Sequence, residues 1–253
     1  MIEFKLYVIT DRHRCAPTGL LTVISELLDA GARALQLREK DLDAPALYQL
    51  AKPIAERCRR YDAALFINRN VKVALDVGAA GVHLPASAIA RLKSAPTEGD
   101  GRARLKTEGN GIACVKSAAT EGNGIARLKS APTAVNGPVG ALCKRASETL
   151  QIGCSTHNFD QAKKREAEGA DFITYSPIYL TTSKPGYGPA VGVANLARLA
   201  KQVKLPIFAL GGITPARVAA CMEAGAAGIA VMSGVMSPTG AGEQAKRYLD
   251  ALR

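Results

Sequence analysis

The sequence has no tryptophan, only five phenylalanines and three histidines among 253 residues, and its six cysteines form no C-x-x-C pair. Each shortage excludes something. Cys15, Cys58, Cys114, Cys143, Cys154 and Cys221 are scattered and apart from the histidines, so neither structural zinc nor a secreted disulfide framework is expected. No apolar run approaches the ~20 residues that span a bilayer. The opening Ile2-Glu3-Phe4-Lys5 lacks the basic and apolar regions of a secretion signal. The expectation is a cytoplasmic, soluble chain with no membrane partner. With 47% hydrophobic and 22% charged residues, the composition is that of an ordinary globular protein, read as a single domain over 1–253.

Charge is what the chain has in excess, at +11. Clustered Lys and Arg can neutralise nucleic-acid phosphates. Here, however, residues 91–145 hold ten basic and four acidic residues, +6 of the total, and contain no Phe, Tyr or Trp on which bases could stack. No helix-turn-helix or finger spacing occurs, so no nucleic-acid partner is expected. This stretch is also repetitive. Ala-Arg-Leu-Lys-Ser-Ala-Pro-Thr opens at Ala90 and recurs at Ala126, and Thr-Glu-Gly-Asn-Gly-Ile-Ala occurs twice between them. Repeats this short and polar cannot stack a core, so 91–145 reads as a low-complexity, disordered insertion.

Outside the insertion, β-rich apolar runs at 4–10, 34–38, 64–68, 81–84, 151–155, 172–175, 206–210 and 228–232 alternate with amphipathic runs. The amphipathic runs fall at 20–30, 44–60, 71–77, 159–168, 193–201, 215–224 and 240–252. Eight strands, each expected to be followed by a helix although only seven helical runs are found and none after the fourth strand, with strands apolar on both faces, predict a (β/α)8 TIM barrel, the insertion following strand four. A doubly wound sheet is the alternative, but no G-x-G-x-x-G follows the first strand. Ala30-Gly31, Gly169-Ala170 and Gly225-Ala226 read as helix ends.

Residues just past each strand line one mouth in this fold. They are rich in cations, hydroxyls and glycines: Arg38 and Lys40, Asn68, Ser155 and His157, Thr181, Ser183 and Lys184, Gly211 and Gly212, and Ser233. Such a mouth suits a small phosphorylated molecule. Leu210-Gly-Gly-Ile-Thr-Pro215 and Val231-Met-Ser-Gly-Val235 can offer backbone N–H groups, with a following helix N-terminus adding positive dipole. The same Gly-Gly also makes a tight turn, and Thr214-Pro215 an N-cap and N1 pair. His157 can shuttle a proton near neutral pH. His83 reads as packing, and no Ser-His-Asp order or carboxylate pair supports hydrolysis.

Taken as a set, Tyr7-Val-Ile-Thr-Asp-Arg12, Leu35-Gln-Leu-Arg-Glu-Lys40, Phe66-Ile-Asn68, Gly81-Val-His-Leu84, Ile152-Gly-Cys-Ser-Thr-His157, Pro177-Ile-Tyr179 through Lys184-Pro185, Ala209-Leu-Gly-Gly-Ile-Thr-Pro215 and Gly228-Ile-Ala-Val-Met-Ser-Gly234 resemble the thiamine phosphate synthase and thiazole tautomerase family. The resemblance covers nearly the whole chain outside 91–145. It implies pyrimidine and diphosphate contacts at Gln36, Arg38, Lys40, Asn68, Thr181, Ser183 and Lys184, with Ser155 also binding substrate. It implies thiazole-phosphate contacts at Gly211, Gly212, Met232 and Ser233. The synthase also uses Mg²⁺, but its two metal aspartates correspond here to Arg69 and Ala88, and an arginine repels the ion.

That loss, with Leu84-Pro-Ala-Ser87 after strand four, places the expectation on the tautomerase branch. This is an isomerase that aromatises a carboxythiazole phosphate without a metal or other cofactor, with His157 as its catalytic proton shuttle. The alternative is the synthase, with Mg²⁺, and a second is a protein that only binds thiazole phosphate. A homo-oligomer is compatible with any of these. Replacing residues 91–145 by a short linker removes no strand-end residue, and loop closure changes slowly with length. The shortened chain is expected to keep its circular-dichroism spectrum and a cooperative melt; loss of either would show that the segment packs.

Overall fold

The computed structural model describes residues 2–87, 105–108, 112–115, 150–181, 189–237 and 239–253. Strands β1 (Leu6–Ile9), β2 (Ala34–Leu37), β3 (Ala64–Asn68) and β4 (Gly81–Leu84) alternate with helices α1 (Leu20–Asp29), α2 (Ala44–Arg60) and α3 (Val71–Asp76). A separate antiparallel pair, β5 (Leu105–Glu108) and β6 (Ile112–Val115), follows. The second half runs through β7 (Gln151–Thr156), α4 (Phe159–Ala167), β8 (Phe172–Tyr175), α5 (Gly192–Ala200), β9 (Ile207–Leu210), α6 (Val218–Glu223), β10 (Gly228–Val231) and α7 (Ala241–Ala251). Eight parallel strands close in the order β1-β2-β3-β4-β7-β8-β9-β10, so the expected TIM barrel is what forms. Among the described residues no helix is long and apolar enough to cross a membrane.

Two details differ from the sequence reading. Among the described residues no helix follows β4, so the strand-helix alternation is incomplete there. Within 91–145, where no strand was expected, Leu105 pairs with Val115 and Glu108 with Ile112. The expectation of disorder for the rest of 91–145 lies outside the described residues.

Local signals explain the helices. Asp43 caps α2 by accepting from the Ala46 N–H at 2.9 Å, and Arg57, Arg59 and Arg60 oppose the negative end of its dipole. Leu47, Ala51, Ile54, Ala55 and Cys58 form the stripe it buries. Gly31, Gly169 and Gly225 have positive φ, and each helix they end closes with the same pair of bonds, such as Gly31 N–H to Leu28 O and Ala32 N–H to Leu27 O.

The strands divide their side chains between two cores. Residues such as Val8, Leu35, Ile67, Val82, Cys154, Ile173 and Ile229 pack outward against the helices. The barrel interior holds Tyr7, Phe66, Phe172 and Phe208, with Phe4 across the end that the strands enter. Four of the chain's five phenylalanines are thus spent on one plug. Phe172 stands edge-on to Phe66 at 5.2 Å and to Tyr7 at 5.4 Å. The rings fit because neighbouring inward positions are glycine: a Cβ on Gly153 would lie 2.4 Å from Phe172 Cζ, and one on Gly81 2.5 Å from Phe66 Cε1. Phe172→Ala is expected to destabilise the fold by about 3–5 kcal/mol, read by urea unfolding. A loss below about 1 kcal/mol would mean that the plug is loose.

Candidate active site

Register sets the strand ends level around one mouth: Ile9 pairs with Gln36, Asn68 with His83, Leu84 with Cys154, Thr156 with Tyr175 and Ala230 with Leu210. Gln36, Arg38, Lys40, Asn68, Ser155, His157, Thr181, Gly211, Gly212, Met232 and Ser233 therefore lie at or just past those ends. Ser183 and Lys184 lie outside the described residues, as does Ala88.

Beneath the mouth runs a buried polar chain that joins three strands to β1. Gln36 Nε2 donates to the Tyr7 hydroxyl at 3.2 Å, that hydroxyl meets His83 Nδ1 at 3.3 Å, and His83 Nε2 meets Ser155 Oγ at 3.1 Å. Burial, followed by the Arg38 charge, lowers the His83 pKa to about 3, so the imidazole is neutral. Burial also pushes the Tyr7 hydroxyl well above its usual range, although the Gln36 bond pulls the other way, so it keeps its proton. One orientation then satisfies all four groups: amide to phenol, phenol to Nδ1, Nε2–H to the serine oxygen. The serine proton and the amide oxygen remain for a ligand. His83 is buried, as its alternation suggested, but it bridges two site residues, and only the barrel's closure brings Tyr7 to it.

Carboxylates and cations in the segment after β2 take separate partners. Thr10 Oγ1 donates to Glu39 at 2.6 Å while accepting from the Arg38 N–H at 2.9 Å. The Arg12 guanidinium bonds Glu39 at 3.3 Å and grips both oxygens of Asp41 at 2.6 and 2.5 Å, holding the Asp41 carboxyl well below its usual range. Glu39 and Asp41 are thus committed to the β1 loop. Lys40 stands among cations: Arg38 first, then burial, then Arg69 lower its pKa. Arg69 has φ +65°, a left-handed turn from β3 into α3, fixed by its N–H on His83 O at 3.0 Å.

On the other side, the loops after β9 and β10 offer backbone donors. Gly211 and Gly212 have φ +99° and +63°, and among the described residues no backbone carbonyl takes their N–H groups or that of Gly234. A Cβ on Gly211 would lie 2.9 Å from Pro177 Cα, and one on Gly212 2.5 Å from Leu180 O. The glycines therefore also admit the β8 loop, whose Tyr179 N–H bonds Gly211 O at 3.0 Å. Tyr248 of α7, which the sequence reading missed, braces both loops: its hydroxyl donates to Ile213 O at 2.9 Å and packs where a Gly234 side chain would be. Its place on a remote helix gave no signal. After β9 the expected helix opens as a 3-10 turn, Pro215–Arg217, that runs straight into α6, with no side-chain cap from Thr214, whereas α7 starts only at Ala241, well past the end of β10.

His157 Nδ1 lies 2.9 Å from Ser176 O; since a carbonyl only accepts, Nδ1 is the donor. The His157 backbone N–H donates to Gln161 Oε1 at 2.8 Å, while Asn158 caps α4 by accepting from the Gln161 N–H at 2.9 Å.

The family model described as thiamine monophosphate synthase matches residues 6–100 and 134–235. The chain belongs to the thiamine monophosphate synthase family. A Geobacter sulfurreducens protein that bears the thiamine-phosphate synthase name provisionally is 34% identical over 99% of this chain and 95% of its own length. A thiamine-phosphate synthase of Roseiflexus castenholzii is 29% identical over 91% of this chain and 80% of its own. Among solved structures, thiamine phosphate pyrophosphorylase from Pyrococcus furiosus shares the fold at TM-score 0.67 and 24% identity, over 98% of this chain and 95% of that one.

These relatives of the synthase family overturn the thiazole tautomerase expectation, and with it the isomerase assignment and the reason for making His157 a catalytic proton shuttle. That inference rested on missing aspartates, and a lost metal ligand identifies a lost ligand, not a changed reaction.

The relay makes a pH prediction. An unfolded His titrates near 6.5 and the folded His83 near 3. Between those values the unfolded chain binds a proton that the folded chain refuses. This contribution to stability is complete above pH 6.5 and is lost as the pH falls toward 3, at up to about 1.4 kcal/mol per pH unit. Urea titrations across that window are expected to show a steeper loss for the wild type than for His83→Asn; parallel slopes would place the His83 titration elsewhere.

Proposed function

We propose that this chain is a thiamine-phosphate synthase: it joins a hydroxymethylpyrimidine diphosphate to a thiazole phosphate and releases pyrophosphate. The observation that carries the reading is one mouth with two separate anion-receiving groups, cations after β2 and β3 and loop N–H donors after β9 and β10. Coupling two phosphorylated molecules requires both. In this reading the thiazole phosphate sits on Gly211, Gly212, Met232 and Ser233, and the diphosphate on Arg38 and Lys40 with Asn68, Thr181, Ser183 and Lys184. The pyrimidine meets Gln36 and Ser155, which the His83–Tyr7 chain holds in one hydrogen-bonding sense.

The bond between the pyrimidine methylene carbon and the diphosphate oxygen breaks with its electron pair leaving on the oxygen. The thiazole nitrogen lone pair forms the new C–N bond, and no proton transfer is needed for that exchange. The protein orients the two rings and offsets the charge that develops on the leaving group. A cytoplasmic place suits the buried, free Cys15, Cys58, Cys154 and Cys221, whose thiols burial pushes above their usual range.

The purified chain, given both substrates, is expected to form thiamine phosphate and pyrophosphate in equal amounts; no product with or without Mg²⁺ would end this reading. Ser233→Asp is expected to raise the KM for thiazole phosphate more than tenfold, equivalent to about 2 kcal/mol of repulsion. The KM for the pyrimidine diphosphate is expected to stay within about twofold.

A further inference from the structure

The reading above brings a difficulty, because the synthase chemistry of the family implies Mg²⁺ at the diphosphate, and the residues described here do not fit that ion. Among the described residues no three His, Cys, Asp or Glu side chains gather. Mg²⁺ is a hard cation held through carboxylates. The two carboxylates that follow Arg38 and Lys40 in the chain are committed elsewhere: Glu39 to Thr10 and Arg12, and Asp41 to Arg12 and His13. Arg69 stands where the resemblance puts a metal aspartate.

What the mouth has instead is positive charge fixed by the backbone. β2 and β3 are paired neighbours, with Leu37 opposite Ile67. The residues that leave their ends, Arg38 and Lys40 on one strand and Asn68 and Arg69 on the other, therefore emerge side by side. Thr10 holds the Arg38 N–H at 2.9 Å, and His83 O holds the Arg69 N–H at 3.0 Å. Among the described residues neither Lys40 nor Arg69 forms an ion pair. Three like charges gathered this way repel one another, an arrangement that a multiply charged anion relieves. A guanidinium also presents a fork of donors to phosphate oxygens.

We propose that Arg69, acting with Arg38 and Lys40, takes over from the divalent cation in this protein and neutralises the diphosphate, so that binding and release of pyrophosphate do not depend on a metal. This inference rests on the synthase reading for its turnover arm. Its binding arm stands apart from it.

Inorganic pyrophosphate is titrated calorimetrically into the full-length wild-type chain, Arg69→Gln, and Lys52→Gln, an exposed α2 control, all in excess chelator. The wild type and the control are expected to bind alike, and Arg69→Gln about tenfold or more weakly. Binding that appears only when Mg²⁺ is added, or that Arg69→Gln leaves unchanged, would overturn the proposal whatever the enzyme assay shows. With both substrates, turnover in chelator is expected to stay within about twofold of turnover with Mg²⁺; turnover abolished by chelator and restored by Mg²⁺ also overturns it. Absence of product under both conditions, with Arg69-dependent pyrophosphate binding retained in chelator, supports the metal-free anion site and refutes only the synthase reading. Melting curves for each variant separate misfolding from lost binding.

Discussion

The ring of Tyr7 is where the barrel's packing and its chemistry meet. Its apolar face belongs to the plug of Phe4, Phe66, Phe172 and Phe208, and its hydroxyl begins the polar chain to His83 and Ser155 on one side and Gln36 on the other. A buried hydroxyl without a partner costs about 1–3 kcal/mol, so the plug and the mouth constrain each other. The rings fix where the oxygen sits, and the oxygen fixes which atoms of Gln36 and Ser155 are left for a ligand. Gly81 and Gly153 make this possible by ceding the space of their side chains to Phe66 and Phe172.

Charge is sorted by the same economy of backbone. In the stretch Arg38-Glu39-Lys40-Asp41 the signs alternate, and so do the partners. The two carboxylates are drawn to Arg12 at the end of β1, while Lys40 feels the charges of Arg38 and of Arg69 beyond β3. Overall net charge says little about this. Much of the +11 lies in 91–145, whereas Arg38, Lys40 and Arg69 lie together past two adjacent strand ends.

Across the mouth, the loops after β9 and β10 present backbone N–H groups without a side-chain charge of their own. Positive φ at Gly211 and Gly212 turns amide groups away from the ladder, and Tyr248 and Arg217 hold that turn from outside, Arg217 by donating to Gly212 O at 2.7 Å while lying over the Tyr179 ring. Only part of this was visible beforehand. The glycines announced themselves, while the braces come from residues whose relevance depends on where α6 and α7 pack.

The eight strands and the helices between them were legible from apolar runs and periodicity because a parallel strand buried on both faces must be apolar along its length, and a helix covering it must carry a stripe. The strand-end positions of Gln36, Arg38, Lys40, Asn68, Ser155, His157, Gly211, Gly212 and Ser233 followed from that alternation alone. Which of those residues share a hydrogen bond did not. Tyr7 and His83 are 76 positions apart, and Tyr248 and Ile213 are 35 apart; no local pattern encodes such a pair, because the register of closure and the packing of remote helices decide it. The resemblance likewise put Arg69 in the place of a metal aspartate, and so suggested a different reaction. Only the fold placed that arginine beside Arg38 and Lys40, on the end of the neighbouring strand, because the pairing of β2 with β3 brings those ends together.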